Sequence, residues 1–396
     1  MAYKSEIVAP NDLTVDAYAT LARGTNRLQQ STSGQFDTPM LGFFGEAGSL
    51  LSAAKKRKRD DLPSDQYYAD VAEEVGDFLW YFSRVCDASG VDLSSVVARA
   101  AKTTISGSRL TFCSVNEQFA LKSRPPLDRL ILRLIALAGD VGQFIDWYSH
   151  NRKQVAAQAL EGHLIPIMRS LFRACSAAGI NMEDAAAQNL EKIYDRWPAT
   201  RGEYPELYDE GHHDLTERLP RKLKIRIEQR TKRGKPYVFQ SCRDLNIGDP
   251  LTDNIRDPDY YRFHDVFHYA YAAILGWSPV TRALFKLKRK SDAKLDENED
   301  GARAILIEEG LSTMIFNYAK SLRFLEGVAR GELSFELLKT VRDFVRGYEV
   351  ETAPLWLWEE AILAGYKCFR SLKEAKSGLI IVDMDRRLID IGDLPK

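Results

Sequence analysis

Cysteine is scarce in this chain of 396 residues, and no long uninterrupted apolar run occurs in it. The five cysteines are odd in number, widely separated and never spaced as CxxC, which argues against a disulfide framework and a zinc ribbon. The most apolar stretch, residues 130–145, contains Arg133 and Asp140, so no transmembrane helix is predicted. Residues 1–10 lack the apolar core of a signal peptide. We therefore expect a cytoplasmic protein that does not bind a membrane.

Net charge is also nearly absent. Lys and Arg number 55 and Asp and Glu 56, for a formal net charge of -1. No global basic field argues for a nucleic-acid partner, so none is expected. Hydrophobic residues make up 45% of the chain, which is enough for real cores in a chain of two or three domains' length.

The pattern of apolar residues changes once along the chain. Residues 12–200 carry helical periodicity almost throughout. Two β-rich stretches, 222–229 and 237–242, then flank a turn-like segment and predict a hairpin. Helical patterning returns over 259–375, and two short apolar runs around a polar turn follow at 379–392. The sequence predicts a mainly α fold, in which an all-α half precedes an α+β domain with a small antiparallel sheet, built from both strand pairs, and a helical bundle.

Two short sequence motifs of the helical half each occur twice, in the same order. "GEAGSLL" at 45–51 is similar to "GDVGQFI" at 139–145, an offset of about 94 residues. "FSRVCDASGVDLSSVVARA" aligns with "LFRACSAAGINMEDAAAQN" at an offset of about 89. This order predicts a tandem repeat, although two amphipathic helical pairs could share small residues by chance. The predicted units are listed here by their bounds: repeat 1, 12–110; repeat 2, 111–200; α+β domain, 215–396.

Acidic residues gather in the first repeat. Glu46 lies on one predicted helix, and Glu73, Glu74 and Asp77 lie on the next. Glu74 and Asp77 are three residues apart, which places both on one helical face, and an antiparallel neighbour can bring Glu46 alongside. An all-oxygen pocket of this kind suits Mg²⁺. The alternative is that these acids are solvated helix faces, but the apolar neighbours of Glu74 and Asp77 favour a partner or a metal.

These motifs resemble a known family. "GEAGSLL", "EEVGDFLWYF" and "SGVDL" are similar to the MazG-like all-α nucleoside triphosphate pyrophosphohydrolases, whose pattern is ExxE on one helix and ExxD on the next, over residues 15–200 of this chain. The resemblance implies hydrolysis of a nucleoside triphosphate to a monophosphate and pyrophosphate with Mg²⁺, or Mn²⁺ in its place. It implies Glu46, Glu74 and Asp77 as metal ligands and adds Glu73 to the catalytic group. Ser49 stands where the second acid of ExxE belongs.

The second repeat departs from the family pattern differently. His163 and Pro166 stand at the positions of Glu74 and Asp77, so this copy cannot hold the same metal. Its end, "NLEKIYDRWP", resembles the family segment that holds the nucleotide, which implies substrate contacts by three residues: Asn189, Lys192 and Arg196. We therefore predict one composite site, or alternatively a second copy that is only scaffold. A homo-oligomer is compatible with the sequence, which does not fix the oligomeric state.

A second cluster lies in the C-terminal half. His264 and His268 are four residues apart with Asp265 between them, and Glu308 and Glu309 lie on another predicted helix. Two imidazoles on one face with a distant acid predict a transition-metal site. The alternative is a pair of core histidines. No enzyme family is recognised in this half. The function of the whole chain therefore has two further interpretations: a catalytically weak nucleotide sensor that regulates the C-terminal domain, or a C-terminal enzyme regulated by the helical half.

Overall fold

The first half of the chain is a set of α-helices in the computed structural model, as its periodicity predicts. The residues that the structure describes are 13–26, 37–60, 64–105, 109–123, 125–151, 157–198 and 203–394. The chain divides into two compact units, residues 1–199 and 200–396, each with its own hydrophobic core. The predicted mainly α fold with a C-terminal α+β part is confirmed. Within the described ranges, no helix combines the length and apolar character needed to cross a membrane.

The described part of the first unit contains eight α-helices, four in each predicted repeat. Their bounds are α1 Val15–Gly24, α2 Asp37–Asp60, α3 Ser64–Ser89, α4 Leu93–Ala101, α5 Phe112–Phe119, α6 Leu127–Asn151, α7 Ala157–Ala178 and α8 Met182–Arg196. Thr14 caps the N-terminus of α1 and Thr111 caps that of α5. Asp92 caps α4 and Asn181 caps α8 in the same manner, each side chain accepting a backbone N–H. Corresponding helices therefore begin with the same kind of capping residue.

The two helical pairs are packed into one core. α2 packs against α3, α6 packs against α7, and α2 also contacts α6. α4, which follows the pair α2 and α3 in the chain, packs against α7 of the other pair. α8, which follows the pair α6 and α7, packs against α3. Phe43 of α2 joins the pairs, with its ring centroid 4.7 Å from that of Phe78 and 6.5 Å from that of Phe144. This exchange brings α8 beside the acidic face of α3.

The second unit contains one antiparallel sheet. Its strands are β1 Lys222–Lys232, β2 Lys235–Cys242, β3 Leu245–Asn246, β4 Ser377–Asp383 and β5 Leu388–Gly392. Their order is β3-β2-β1-β4-β5. Ile225 of β1 lies opposite Cys242 on one side and Ile380 on the other, so the terminal strand pair joins the earlier hairpin as predicted. Side chains of β1 alternate between exposed and buried, as one covered sheet face requires.

Six α-helices cover and flank this sheet in the described part of the chain. They are α9 Asp265–Leu275, α10 Pro279–Phe285, α11 Ala293–Asn298, α12 Ala302–Ser321, α13 Phe335–Phe344 and α14 Leu355–Ala375. α9 is buried along its whole length and packs against α14. Gly365 of α14 permits this contact, because a Cβ there would come within 3.1 Å of the Cβ of Ala270. α9 therefore holds its polar side chains inside the unit, where each needs a partner.

Candidate functional site

Three carboxylates from α2 and α3 converge in the first unit. Glu46, Glu74 and Asp77 each offer an oxygen within 4.8 Å of the other two, and all three side chains are half-buried. Glu46 and Glu74 also share a hydrogen bond. Burial, together with the charges of Asp77 and Glu74, raises the pKa of Glu46 to about 7. Three acids this close favour a bound proton or a cation, because their mutual repulsion raises the pKa of Glu46 even with Lys192 nearby.

α8 adds a cation and an amide to the acids. Asn189 Nδ2 donates to Asp77 Oδ1 at 2.7 Å, and Lys192 Nζ donates to Asp77 Oδ2 at 2.5 Å. Lys192 Nζ also lies 3.1 Å from Glu73 Oε1. Tyr18 of α1 donates its hydroxyl hydrogen to Asn189 Oδ1 at 3.4 Å, which orients the amide. Residues from both predicted repeats therefore meet at Asp77.

A glycine permits this meeting of α3 and α8. A Cβ placed on Gly76 would lie 2.7 Å from Asn189 Cβ and 2.8 Å from the carbonyl oxygen of Ala185. Those distances are shorter than van der Waals contact, so any larger residue would push the two helices apart. Gly76 is therefore a position of close contact between the acidic helix and the Asn–Lys helix.

Other predicted residues lie around or away from the three acids. Glu73 is 43% exposed and paired with Lys192. Arg196, predicted to contact substrate, has a side chain that is 1% exposed and lies with its guanidinium carbon 5.0 Å from the centre of the Trp197 ring. Ser49 is half-buried one turn after Glu46 on α2.

Tyr81 is a member of this site that the sequence analysis missed. Burial and the charges of Glu46 and Asp77 raise the pKa of Tyr81. Its ring lies against Gly42, where an added Cβ would overlap it. Tyr81 follows Asp77 by one helical turn, so the i,i+4 spacing was a signal that could have found it.

The corresponding place in the second helical pair has different chemistry. Asp140 of α6 accepts a hydrogen bond from Ser170 Oγ at 2.5 Å. The His163 ring lies 4.1 Å from the Trp147 ring, centroid to centroid, and contacts Phe144 at 6.1 Å. An aromatic cluster therefore stands where the first pair has carboxylates.

The second unit brings His264, His268 and Glu309 together. One ligand atom from each lies within 4.8 Å of the other two. Glu309 Oε2 is 3.7 Å from His264 Nε2 and 3.6 Å from His268 Nε2. His268 is completely buried, whereas the Glu309 side chain is 38% exposed. His268 therefore lies at the buried end of the cluster, and Glu309 lies at the end that is open to solvent.

The neighbouring predicted acids contact the histidines at different ring nitrogens, Glu308 at Nδ1 of His268 and Asp265 at Nε2 of His264. His268 Nδ1 lies 2.8 Å from Glu308 Oε1, and Glu308 is itself held by Ser278 Oγ at 2.7 Å and the backbone N–H of Val280 at 2.8 Å. Asp265 Oδ1 lies 3.0 Å from His264 Nε2, and its other oxygen accepts a hydrogen bond from Gln240. Glu308 and Asp265 thus lie outside the group of three ligand atoms found among the described residues.

Charge in this cluster is balanced through His268. Burial alone would lower the pKa of His268, but the carboxylates of Glu308 and Glu309 outweigh it and raise that pKa to about 10. His268 and His264 in turn lower the pKa of Glu309 against the effect of burial. Positive charge at His268 is therefore favoured by both neighbouring acids, whether a proton or a cation supplies it.

Comparison with known proteins gives one match. A family model described as the MazG C-terminal domain matches residues 203–395. No curated protein and no solved structure matches the chain. The MazG-family signal thus lies in the C-terminal half, in which no enzyme family was recognised from the sequence. The resemblance of residues 15–200 to the MazG-like pyrophosphohydrolases stays a prediction.

Proposed function

We propose that the first unit is a magnesium-dependent nucleoside triphosphate pyrophosphohydrolase, which converts a nucleoside triphosphate and water to a nucleoside monophosphate and pyrophosphate. The observation that carries the proposal is the convergence of Glu46, Glu74 and Asp77 within 4.8 Å. The match of residues 203–395 to a MazG-associated domain supports a nucleotide-related function for the chain.

The donor set suits Mg²⁺. Three carboxylates on two packed helices provide hard oxygen ligands at one point, and Mn²⁺ accepts the same ligands. The raised pKa of Glu46, about 7, indicates that these acids lack sufficient positive charge by themselves. When bound, Mg²⁺ would neutralise phosphate charge and polarise the bond that is broken.

The neighbouring side chains would bind and orient the triphosphate. The Lys192 side chain is 20% exposed, and its ammonium group is paired with Asp77. When a metal cation binds Asp77 instead, the ammonium group can turn to a phosphate oxygen of the substrate. Asn189 holds Asp77 in one orientation from the other side. Glu73, beside Lys192 and open to solvent, would accept the proton of the attacking water.

Substitution of the acids tests the proposal. Glu74→Gln and Asp77→Asn each keep the shape of the side chain but remove a charged ligand, so pyrophosphate release should fall by about 100-fold or more. The measurement is product chromatography with a panel of ribo- and deoxyribonucleoside triphosphates and Mg²⁺ or Mn²⁺. Glu117→Gln changes an exposed acid of α5 and should keep full activity. Full activity in Asp77→Asn would refute the assignment.

Ser49 favours a second candidate function. A site with one acid fewer than ExxE–ExxD binds its cation more weakly, which fits a nucleotide sensor that regulates the C-terminal unit. The sensor would bind nucleoside triphosphate without releasing pyrophosphate. Calorimetric binding of a nucleotide that stays intact for hours would support the sensor and reject the enzyme.

A further inference from the structure

Three nitrogen and oxygen atoms of the second unit are separated by distances that hydrogen bonds do not explain. Glu309 Oε2 lies 3.6 Å from His268 Nε2 and 3.7 Å from His264 Nε2. Hydrogen bonds between such atoms are shorter, at about 2.7–3.2 Å. Metal bonds of about 2.0–2.2 Å place neighbouring ligands of a tetrahedral ion about 3.3–3.6 Å apart. The two distances from Glu309 Oε2 fit ligands of a common ion better than they fit hydrogen bonds, and one ligand atom from each of the three residues lies within 4.8 Å of the other two.

The buried imidazole has one nitrogen satisfied and one not. His268 is 0% exposed, and its Nδ1 has Glu308 Oε1 at 2.8 Å. Its Nε2, which faces Glu309, has no hydrogen-bond partner. A buried polar atom without a partner is costly, so it calls for a ligand at that place. The empty side of His268 is the side on which Glu309 and His264 converge.

Contacts at Nδ1 hold both imidazoles in place, while His264 Nε2 also has Asp265 Oδ1 at 3.0 Å, so that this carboxylate would share the ion or turn aside when the ion binds. His264 Nδ1 lies 2.9 Å from the carbonyl oxygen of Tyr261, and a carbonyl can only accept, so Nδ1 carries the hydrogen. His268 Nδ1 faces the carboxylate of Glu308, which Ser278 and the N–H of Val280 fix in turn. Histidine ligands of metals are held in this way, with the second nitrogen donating to a carbonyl or a carboxylate.

We propose that His264 Nε2, His268 Nε2 and the Glu309 carboxylate bind a divalent first-row transition metal ion, with Glu308 and the Tyr261 carbonyl orienting the two imidazoles. Two imidazoles and one carboxylate suit Zn²⁺ and its neighbours in the series rather than Mg²⁺. Three protein ligands leave a fourth position for water or a substrate oxygen, as in catalytic rather than structural zinc sites. Glu309, the exposed ligand, marks the side on which that position opens.

This metal centre is separate from the proposed pyrophosphohydrolase site. It takes different ligands, lies in the other compact unit and does not require the acids of α2 and α3. It also assigns different roles to the adjacent residues Glu308 and Glu309, one behind His268 and one at the ion.

The test measures Zn²⁺ binding by the full chain. To remove the first acid cluster as a competing site, the parent protein carries Glu74→Gln and Asp77→Asn. After chelator treatment and dialysis it is given Zn²⁺ alone, passed through gel filtration and analysed by mass spectrometry of the metal. We expect about one ion per chain and a rise in the thermal unfolding temperature. Less than half an ion per chain would overturn the proposal.

Variants in this parent separate ligands from neighbours. Glu309→Gln should weaken Zn²⁺ binding by at least about 10-fold, and His264→Gln should do the same. Glu308→Gln, which loses the charge behind His268, should weaken it by about 10- to 100-fold. Glu297→Gln changes an exposed acid of α11 and should bind like the parent. Zn²⁺ affinity unchanged in Glu309→Gln would exclude the proposed ligand set, and Glu309 is exposed enough for that variant to fold.

Discussion

Ser49 is the residue of α2 that stands where the family pattern resembled by the helical half has its second acid. It lies one turn after Glu46, on the helix that supplies the first ligand. Hydroxyl groups bind Mg²⁺ more weakly than carboxylates, and each carboxylate added to a site raises the attraction for the cation. If the three acids bind Mg²⁺ as proposed, the affinity would therefore depend on whether a charged group stands at residue 49.

Ser49→Glu should therefore lower the Mg²⁺ concentration needed for half-maximal pyrophosphate release, by about 10-fold, if the three acids bind the cation. The measurement is a Mg²⁺ titration at fixed nucleotide. Gln143 occupies the matching position of the second helical pair, where the aromatic ring of His163 replaces an acid. Gln143→Glu should leave the titration unchanged. Equal titrations for Ser49→Glu and the wild type would show that the cation binds elsewhere.

Among neighbouring residues, sequence alone could not separate Glu308 from Glu309. Consecutive residues of a helix point about 100° apart, and only the packing of α12 decides which of them faces His268 from behind. Asp265 presents the same difficulty on α9. The residue types of the histidine cluster were predictable, whereas the division into proposed ligands and supporting groups needed the tertiary structure.

At the scale of elements, periodicity predicted the helical half and the hairpin, because both signals are local. The exchange of α4 and α8 between the helical pairs is a long-range arrangement with no local signal. The meeting of Asn189 and Lys192 with Asp77 was expected from the family resemblance rather than from spacing. The same resemblance suggested Arg196 as a substrate ligand, yet its side chain is buried beside Trp197. The sequence pattern predicts which residues share one face of a helix. The packing of the helices decides which residues that face contacts.

The close contact between α3 and α8 can be tested by substituting Gly76. Gly76→Ala should push α3 from α8, since the new methyl group would lie 2.7 Å from Asn189 Cβ. Such overpacking costs about 1–3 kcal/mol, more than the roughly 1 kcal/mol that alanine adds as a better helix former. Compared with the wild type, we expect a lower free energy of unfolding in urea and a weaker hydrogen bond from Asn189 to Asp77.

A matched control exists on α6. Gly142 has no atom within 4 Å of the position where a Cβ would stand, so Gly142→Ala should keep or increase stability. If Gly76→Ala were as stable as Gly142→Ala, the close approach of α3 and α8 would not be tight in solution.

At the scale of the whole molecule, each of the two hydrophobic cores belongs to a unit with its own cluster of candidate metal ligands. The core of residues 13–193 contains the helices of the acid cluster, and the core of residues 219–389 contains α9, α12 and the sheet. All groups assigned to the acid cluster belong to the first unit, and all groups assigned to the histidine cluster belong to the second. The family match covers the second unit, from 203 to 395. Each proposed site therefore has all of its assigned side chains within one unit.

Separate expression of the two units tests this division. Residues 1–199 should fold and release pyrophosphate from nucleoside triphosphate with Mg²⁺, because their core is complete without the other half. Residues 200–396 should show no such release and should retain about one Zn²⁺ per chain. Circular dichroism checks that each piece is folded, and Asp77→Asn in the first piece is the inactive control. If a folded first piece were inactive while the full chain was active, the acid cluster would need the second unit, and a site complete within residues 1–199 would be the wrong description.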